Sequence, residues 1–190
     1  MEFVEPIRDR KKLEAMKRYL KKRSLRDYAM FVFAINSALR ISDVLKMRIG
    51  DIVDDSGRIK THYELRERKT RKAKRFAIAP NARKAIKEYL DSLGDWNRDD
   101  YLFRSRKGAN RPITRHRAYG IIAEAARACG VTERIGSHSC RKTWAYHAYK
   151  NGVDLAIIQS ALNHSSQRET LRYIGIRGDE IDDVYVSLNL

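Results

Sequence analysis

Proline is scarce in this sequence, at 3 of 190 residues, and glycine is little commoner at 10. A chain so poor in both has few places for linkers or low-complexity spacers, and its segments are closely joined. No internal repeat is visible. Cysteine occurs twice, at Cys129 and Cys140, in no CxxC arrangement. That supports neither a structural disulfide nor a cysteine-based zinc site. No run approaches the roughly 18 apolar residues of a membrane-crossing helix. The opening Met1-Glu2-Phe3-Val4-Glu5-Pro6 lacks the apolar centre of a signal peptide. A GxxxxGK[ST] phosphate loop is missing, and so is HExxH. Acidic residues are also in short supply: 24 Asp+Glu stand against 40 Lys+Arg, a formal charge of +16.

Such an excess raises the local concentration of polyanions and speeds their capture. Nucleic acid is the partner it points to first, an anionic membrane surface second. At 43% hydrophobic residues the chain is globular, and its length suffices for a core without disulfide or metal staples.

Apolar spacing predicts the helices. Leu13, Met16 and Leu20 form a stripe on a basic helix from Lys11 to Leu20. Ser24 is placed to cap a second helix, Leu25 to Ala38, turning Tyr28, Val32 and Ile35 inward. A short helix follows over Ile41–Met47. β-Compatible runs at Ile59–Leu65 and Arg75–Ile78 flank the polar turn Glu67-Arg68-Lys69-Thr70-Arg71-Lys72, the pattern of a hairpin. Pro80-Asn81 opens an amphipathic helix through Leu90. A loop runs from Gly94 to Pro112. Thr114 caps a helix to Cys129, before Gly130. Helices are expected over Ser139–Lys150, Asp154–Ala161 and Arg168–Ile174, with a tail from Asp179. The whole reads as mainly helical with one small sheet.

Three stretches carry candidate chemistry. In Ala38-Leu39-Arg40-Ile41-Ser42-Asp43-Val44-Leu45 an arginine sits at a helix junction, where its planar fork of donors can face an anion. In Gly136-Ser137-His138-Ser139-Cys140-Arg141-Lys142-Thr143, His138 and Arg141 are three apart and share a face at a helix start. That pairs a proton acceptor with a second phosphate fork. The third stretch, Ala161-Leu162-Asn163-His164-Ser165-Ser166, leads to Leu171-Arg172-Tyr173. Each residue also has an ordinary reading, as an ion-paired arginine, a core histidine or a half-buried tyrosine.

Taken in order, these stretches resemble the tyrosine recombinase family, which includes phage integrases and the Xer-type resolvases. The family pattern is an Arg in a GLR-I-S-E-L context, then His-x-x-Arg, then LGH-S-S, then a Tyr nine residues past that His. Here 173 − 164 = 9. Arg40, His138, Arg141, His164 and Tyr173 match position by position, and Lys69-Thr70 matches the family's catalytic lysine in a β-turn. The likeness runs from about Glu5 to Tyr173. Ala38 and Asp43 replace the usual Gly and Glu; Asn163 replaces the Gly before His164, and Cys140 the Leu before Arg141. Most members also carry an N-terminal helical domain that clamps the far face of DNA. Only the catalytic half is seen here, which fits an excised domain or a short single-domain recombinase like the inversion switches of fimbrial genes. The Met1 start favours the second.

The resemblance implies an α+β, mainly helical, integrase-like catalytic domain with a small antiparallel β-sheet over residues 1–178, followed by a tail over 179–190. It implies a site-specific recombinase that cuts and rejoins double-stranded DNA through a 3′-phosphotyrosine. A phenol, with a reference pKa of about 10, is a poor nucleophile until its proton is removed. His138 is the candidate acceptor. Arg40 and Arg141 would clamp the non-bridging phosphate oxygens in place of a metal ion, and His164 would donate a further hydrogen bond. Lys69, with Lys72 as the alternate, would protonate the leaving 5′-hydroxyl. No cofactor, metal or ATP is required. A homo-tetramer on two DNA sites, an accessory DNA-bending protein and a cytoplasmic, nucleoid-associated location complete the expectation, with no membrane role. Asp43, one turn from Arg40, is placed to orient it or to form a simple ion pair.

Basic residues beyond the site divide in two. Lys11, Lys12, Lys17, Arg18, Lys21, Lys22 and Arg23 fit phosphate contacts or a solvated helix face equally. Arg104, Arg106, Lys107, Arg111, Arg115 and Arg117, around a loop and a helix start, fit DNA better. The acidic, apolar tail carries Ile181, Val184, Tyr185, Val186 and Leu188; it packs on its own domain or docks on a neighbouring protomer, the cyclic exchange the resemblance implies.

Three rival readings stand beside this one. A type IB topoisomerase shares the active site and differs in rejoining the same strand. A basic DNA-binding module would not need Tyr173. A metal-dependent nuclease could draw on His62, His116, His138, His147 and His164, but no dense carboxylate cluster accompanies them.

Overall fold

A computed structural model of the chain describes residues 4–66, 73–136, 138–175 and 185–188, except for the side chains of residues 65, 66, 73 and 74. The elements run α1 (Arg10–Arg23), α2 (Leu25–Asn36), α3 (Ile41–Val44), α4 (Ile49–Ile52), β1 (His62–Arg66), β2 (Ala73–Ala77), α5 (Pro80–Asp91), α6 (Arg115–Ala128), α7 (Ser139–Lys150), α8 (Leu155–Leu162) and α9 (Gln167–Ile174). The mainly helical α+β architecture is as expected.

Local chemistry sets the helix ends. Asp9 caps α1 by accepting from the Lys11 and Lys12 amides, and Ser24 caps α2 by accepting from Asp27 N. Pro80 opens α5 from the position where its missing N–H costs nothing. Thr114 accepts from Arg117 N at the start of α6. The hairpin pairs antiparallel, with Tyr63 opposite Phe76, and buries Tyr63 against the body.

One expected helix, over 41–47, stops early, and an unexpected one follows it. The chain makes α3, then turns, and α4 begins at Ile49. The cause is tertiary. The 94–112 loop returns to pair here: Ile49 N donates to Asp100 O and Leu102 N to Met47 O, each within hydrogen-bond range. Arg48 bridges Tyr101. Backbone groups committed to that pairing cannot continue a helix. The same loop buries Leu102 and Phe103 completely, so it belongs to the core.

α1, α2, α5 and α6 enclose the main core around Met16, Phe31, Ile86 and Phe103. A second, small cluster of Ala145, Ile158, Leu162 and Ile174 lies among α7, α8 and α9 and touches the body through Ala38. The segment before α1 straps the two together. Ile7 is fully buried, its N–H donates to Thr143 Oγ1 at 2.9 Å, and His147 Nε2 lies 3.0 Å from its carbonyl. Arg8 donates to Gly175 O, at the end of α9, at 2.9 Å. Gly136 makes room for this strap: a Cβ there would meet Val4 Cγ1 at 2.3 Å.

Candidate active site

The site residues arrive on four local structures. Arg40 is the N-cap residue of α3, just past a tight reversal in which Ala38 adopts φ 54°. This is the position where the family pattern has Gly, and the left-handed backbone explains why: a Cβ there costs roughly 1–2 kcal/mol. Here the methyl is buried in the small cluster instead. The Arg40 side chain is exposed, and no ion pair among the described residues occupies it. The Arg40–Asp43 pair is not formed; the Asp43 charge acts on Arg141 instead.

His138 and Arg141 stand at the start of α7, as the spacing predicts. His138 is the N-cap residue but makes no capping bond, which leaves its ring to the site. Burial first, then Arg141, Arg40, Lys142 and Arg115, hold its pKa below the usual 6.5. At pH 7 it is therefore neutral and can accept a proton. Between them Cys140 is buried, and burial pushes its thiol up to about 12. It fills space as the family's Leu would and is not a nucleophile.

Arg141 is 6% exposed. Its Nη2 donates to the Leu162 carbonyl at the end of α8, which ties α7 to the turn before His164. That turn is a Schellman motif: His164 N bonds Gln159 O, Asn163 N bonds Ser160 O, and Asn163 sits at φ 52°, ψ 47°. After Gly, Asn is the residue that most readily takes this conformation, so the Gly-to-Asn departure preserves the backbone. Ser166 then caps α9 by accepting from Glu169 N.

His164 and Tyr173 consequently face each other edge to face, with ring centroids 4.9 Å apart. The Tyr173 hydroxyl is buried beside the Arg141 guanidinium, near enough for that group to act on it as a donor, though no hydrogen bond of good geometry forms among the described residues. Burial pushes its pKa up to about 12, while Arg141 and then Arg40 pull it down. The Arg141 guanidinium carbon lies 6.0 Å from the ring centroid. The buried phenol thus sits in the field of two guanidinium groups, where a phosphodiester would place its anionic oxygens. No hydrogen bond joins His138 to Tyr173; the imidazole that touches the Tyr173 ring is that of His164.

Lys69 and Lys72 lie outside the described residues, between β1 and β2 in the sequence. Lys142 was not singled out by motif reading. It is 7% exposed, and its ammonium sits 5.2 Å from the Tyr173 ring centroid. Burial lowers its pKa. The clue was available in its place next to Arg141, but a lysine on a helix is ordinarily solvated.

The outer basic residues sort by partner. On α1, Lys17 pairs with Glu14, Lys21 with Glu88 and Arg23 with Glu124, which accounts for part of that face. Arg104 is held by Asp100 at 2.9 Å. Arg106, Lys107, Arg111, Arg115 and Arg117 are exposed. Three of these five are close to one cleft of about 590 Å³, which Arg106, Lys107 and Arg117 line with Arg23 and Arg26. No group of three or more His, Cys, Asp or Glu side chains able to hold a metal ion occurs among the described residues. No described helix is long and apolar enough to cross a membrane. In the tail, the described side chains Tyr185, Val186 and Leu188 are exposed, at 58% or more.

Comparison with known proteins extends these findings. The sequence model of the Phage integrase family matches residues 8–178. The chain is 42% identical over 185 residues to the probable integrase/recombinase YoeC of Bacillus subtilis (strain 168), covering 97% of both chains. It is 28% identical over 151 residues to the type 1 fimbriae regulatory protein FimE of Escherichia coli (strain K12), covering 78% of this chain and 73% of that one. In fold it is similar to the crystal structure of the XerH site-specific recombinase bound to palindromic difH substrate in a post-cleavage complex. There the TM-score is 0.75 at 18% identity, over 100% of this chain and 55% of that one.

Proposed function

Because the chain belongs to the Phage integrase family, we propose that it is a site-specific DNA recombinase whose strand transfer runs through a 3′-phosphotyrosine at Tyr173. The observation that carries this reading is the Tyr173 hydroxyl, buried beside Arg141 and within the field of Arg40. Its partner is double-stranded DNA. Residues 1–178 form the catalytic domain and 179–190 the tail.

The chemistry follows from the side chains. Tyr173 Oη attacks the phosphorus, and the bond from phosphorus to the 5′-oxygen breaks. Arg40 and Arg141 hold the non-bridging oxygens, where charge grows in the transition state. The positive end of α7 adds to their field. His138 takes the phenolic proton, and its depressed pKa leaves it free to do so at neutral pH. Lys69, or Lys72, protonates the departing 5′-oxygen. A 5′-hydroxyl of a partner duplex then attacks the phosphotyrosine and releases Tyr173 by the same steps reversed. The phosphodiester energy stays in the phosphotyrosine, so ATP is not consumed.

Four protomers on two duplexes would carry out exchange. The exposed apolar side chains Tyr185, Val186 and Leu188 suit docking on a neighbouring protomer. An accessory DNA-bending protein would help bring the sites together, and the work would be done on the nucleoid.

The test is covalent capture in cells. The wild type and Tyr173→Phe are expressed, the lysates denatured, and DNA remaining on the protein sequenced. Wild-type adducts at a recurrent sequence, missing from the Phe variant and unaffected by a chelator, are the expected result. Scattered adducts would contradict site specificity, and adducts on both proteins would contradict Tyr173.

A further inference from the structure

Two residues of α9 face the two ring nitrogens of His164. Thr170 Oγ1 lies 3.2 Å from Nδ1 and also donates to Ser166 O at 3.2 Å. A hydroxyl has one proton. With that proton on Ser166, Thr170 can only accept, and Nδ1 is the nitrogen that carries hydrogen. Nε2 faces Glu169, whose Oε1 is 4.0 Å away. Glu169 is itself fixed, since its Oε2 accepts from both Ser165 N and Ser165 Oγ at 3.0 Å. Thr170 is fully buried, and the His164 side chain is 6% exposed. Carried as an imidazolium, the ring turns one N–H toward each of these two oxygens, Thr170 Oγ1 and Glu169 Oε1.

We propose that Glu169 and Thr170 are positioning residues for His164, Thr170 fixing its tautomer and Glu169 serving as the anion at Nε2 until a DNA phosphate oxygen replaces it. This rests on the reading of His164 as a donor to the phosphate. A neutral ring with hydrogen on Nδ1 presents a bare Nε2 and cannot donate there. The donor form is the protonated ring, present at low pH and lost as pH rises through its pKa.

The charged and titratable groups facing the ring are Glu169 and Tyr173 from α9, Arg141 from α7 and Arg40 from the start of α3. Burial, Arg141 and Arg40 push the His164 pKa below 6.5; Glu169 opposes them. Without that carboxylate the proton is lost at lower pH. Glu169 thus keeps the donor form accessible in a site crowded with cations.

The test is a histidine NMR titration of the full chain, with the His164 resonance assigned from its loss in His164→Gln. Glu169→Gln retains an oxygen for Ser165 but removes the charge. It should lower the His164 midpoint by about one pH unit and leave His147, turned to the Ile7 carbonyl, unmoved. Thr170→Val should redistribute the tautomer. The DNA sequence captured on Tyr173 then supplies a substrate, and the alkaline limb of its cleavage profile should move down in Glu169→Gln by the same amount. An unmoved His164 midpoint overturns the proposal and leaves the catalytic reading standing. A moved midpoint with an unmoved cleavage profile overturns the handover to phosphate. Undiminished cleavage by His164→Gln would instead remove the reading on which the proposal rests.

Discussion

The body of the chain, from α1 to α6, closes over fully buried Met16, Met30, Phe31, Ile86, Leu102 and Phe103, whereas the unit of α7, α8 and α9 has only Ala145, Ile158, Leu162 and Ile174 at its centre. The body supplies Arg40; the small unit supplies His138, Arg141, His164 and Tyr173. α8 and α9 are eight residues each, too short to persist without caps and packing. Asp154 and Ser166 provide the caps, and the strap at Ile7 and Arg8 ties the unit down. The proposed nucleophile therefore rides on the part of the molecule with less buried apolar surface, where local opening costs least. Of the two arginines proposed to clamp the phosphate, Arg40 stands on the body and Arg141 on the small unit.

The two arginines test this comparison most sharply. Arg40→Ala and Arg141→Ala should each slow cleavage about 10²–10³-fold. Their thermal behaviour should differ. Arg40 is exposed and unpaired, so its loss leaves the melting temperature unchanged, while loss of buried Arg141 frees the Leu162 carbonyl and lowers it. Single-turnover cleavage and a melting curve check both. Next, Ile158→Ala and Ile86→Ala each remove a fully buried side chain and should cost about 2–5 kcal/mol. Hydrogen exchange should separate them: the first speeds exchange within α7–α9 alone, the second throughout the body.

Acid should act on the small unit too. His138, His147 and His164 all have pKa values held below 6.5, chiefly by burial. Between the folded and unfolded values the unfolded chain binds more protons, so stability is lost as pH falls below 6.5 and is unaffected by these groups above it. Urea unfolding at pH 7.5 and 5.5 reads the difference, and removing the half-buried His147 by His147→Gln should diminish it. The smallest effect belongs to Ala38→Gly at the seam. Relief of the φ 54° backbone, roughly 1–2 kcal/mol, is set against a buried methyl worth about 0.8 kcal/mol. A net change of about 1 kcal/mol or less is expected in denaturant midpoint.

Much of this was legible before the fold was known, for identifiable reasons. Helix periods reflect local burial, so α1, α2, α5, α6 and α7 fall within a few residues of their expected bounds. Arg40, His138, Arg141, His164 and Tyr173 were legible as spaced motifs. What spacing cannot carry is pairing at long range. The early stop of α3 and the start of α4 depend on residues 98–102, the strap depends on Thr143 and Gly175, and the hairpin register depends on both strands. Glu169 was illegible as a partner of His164 because a glutamate on a short polar helix ordinarily faces water. The positive φ at Ala38 and Asn163 was readable only as departures from a family Gly, and the backbone supplies the reason for both.

That Tyr173 takes up the DNA strand is the core of the proposed function. It is tested most directly by mass spectrometry of the protein–DNA adduct after nuclease and protease digestion. The account predicts a single peptide carrying a nucleotide 3′-phosphate, with the bond on Tyr173. A nucleotide on any other residue, or an adduct that survives Tyr173→Phe, would contradict it.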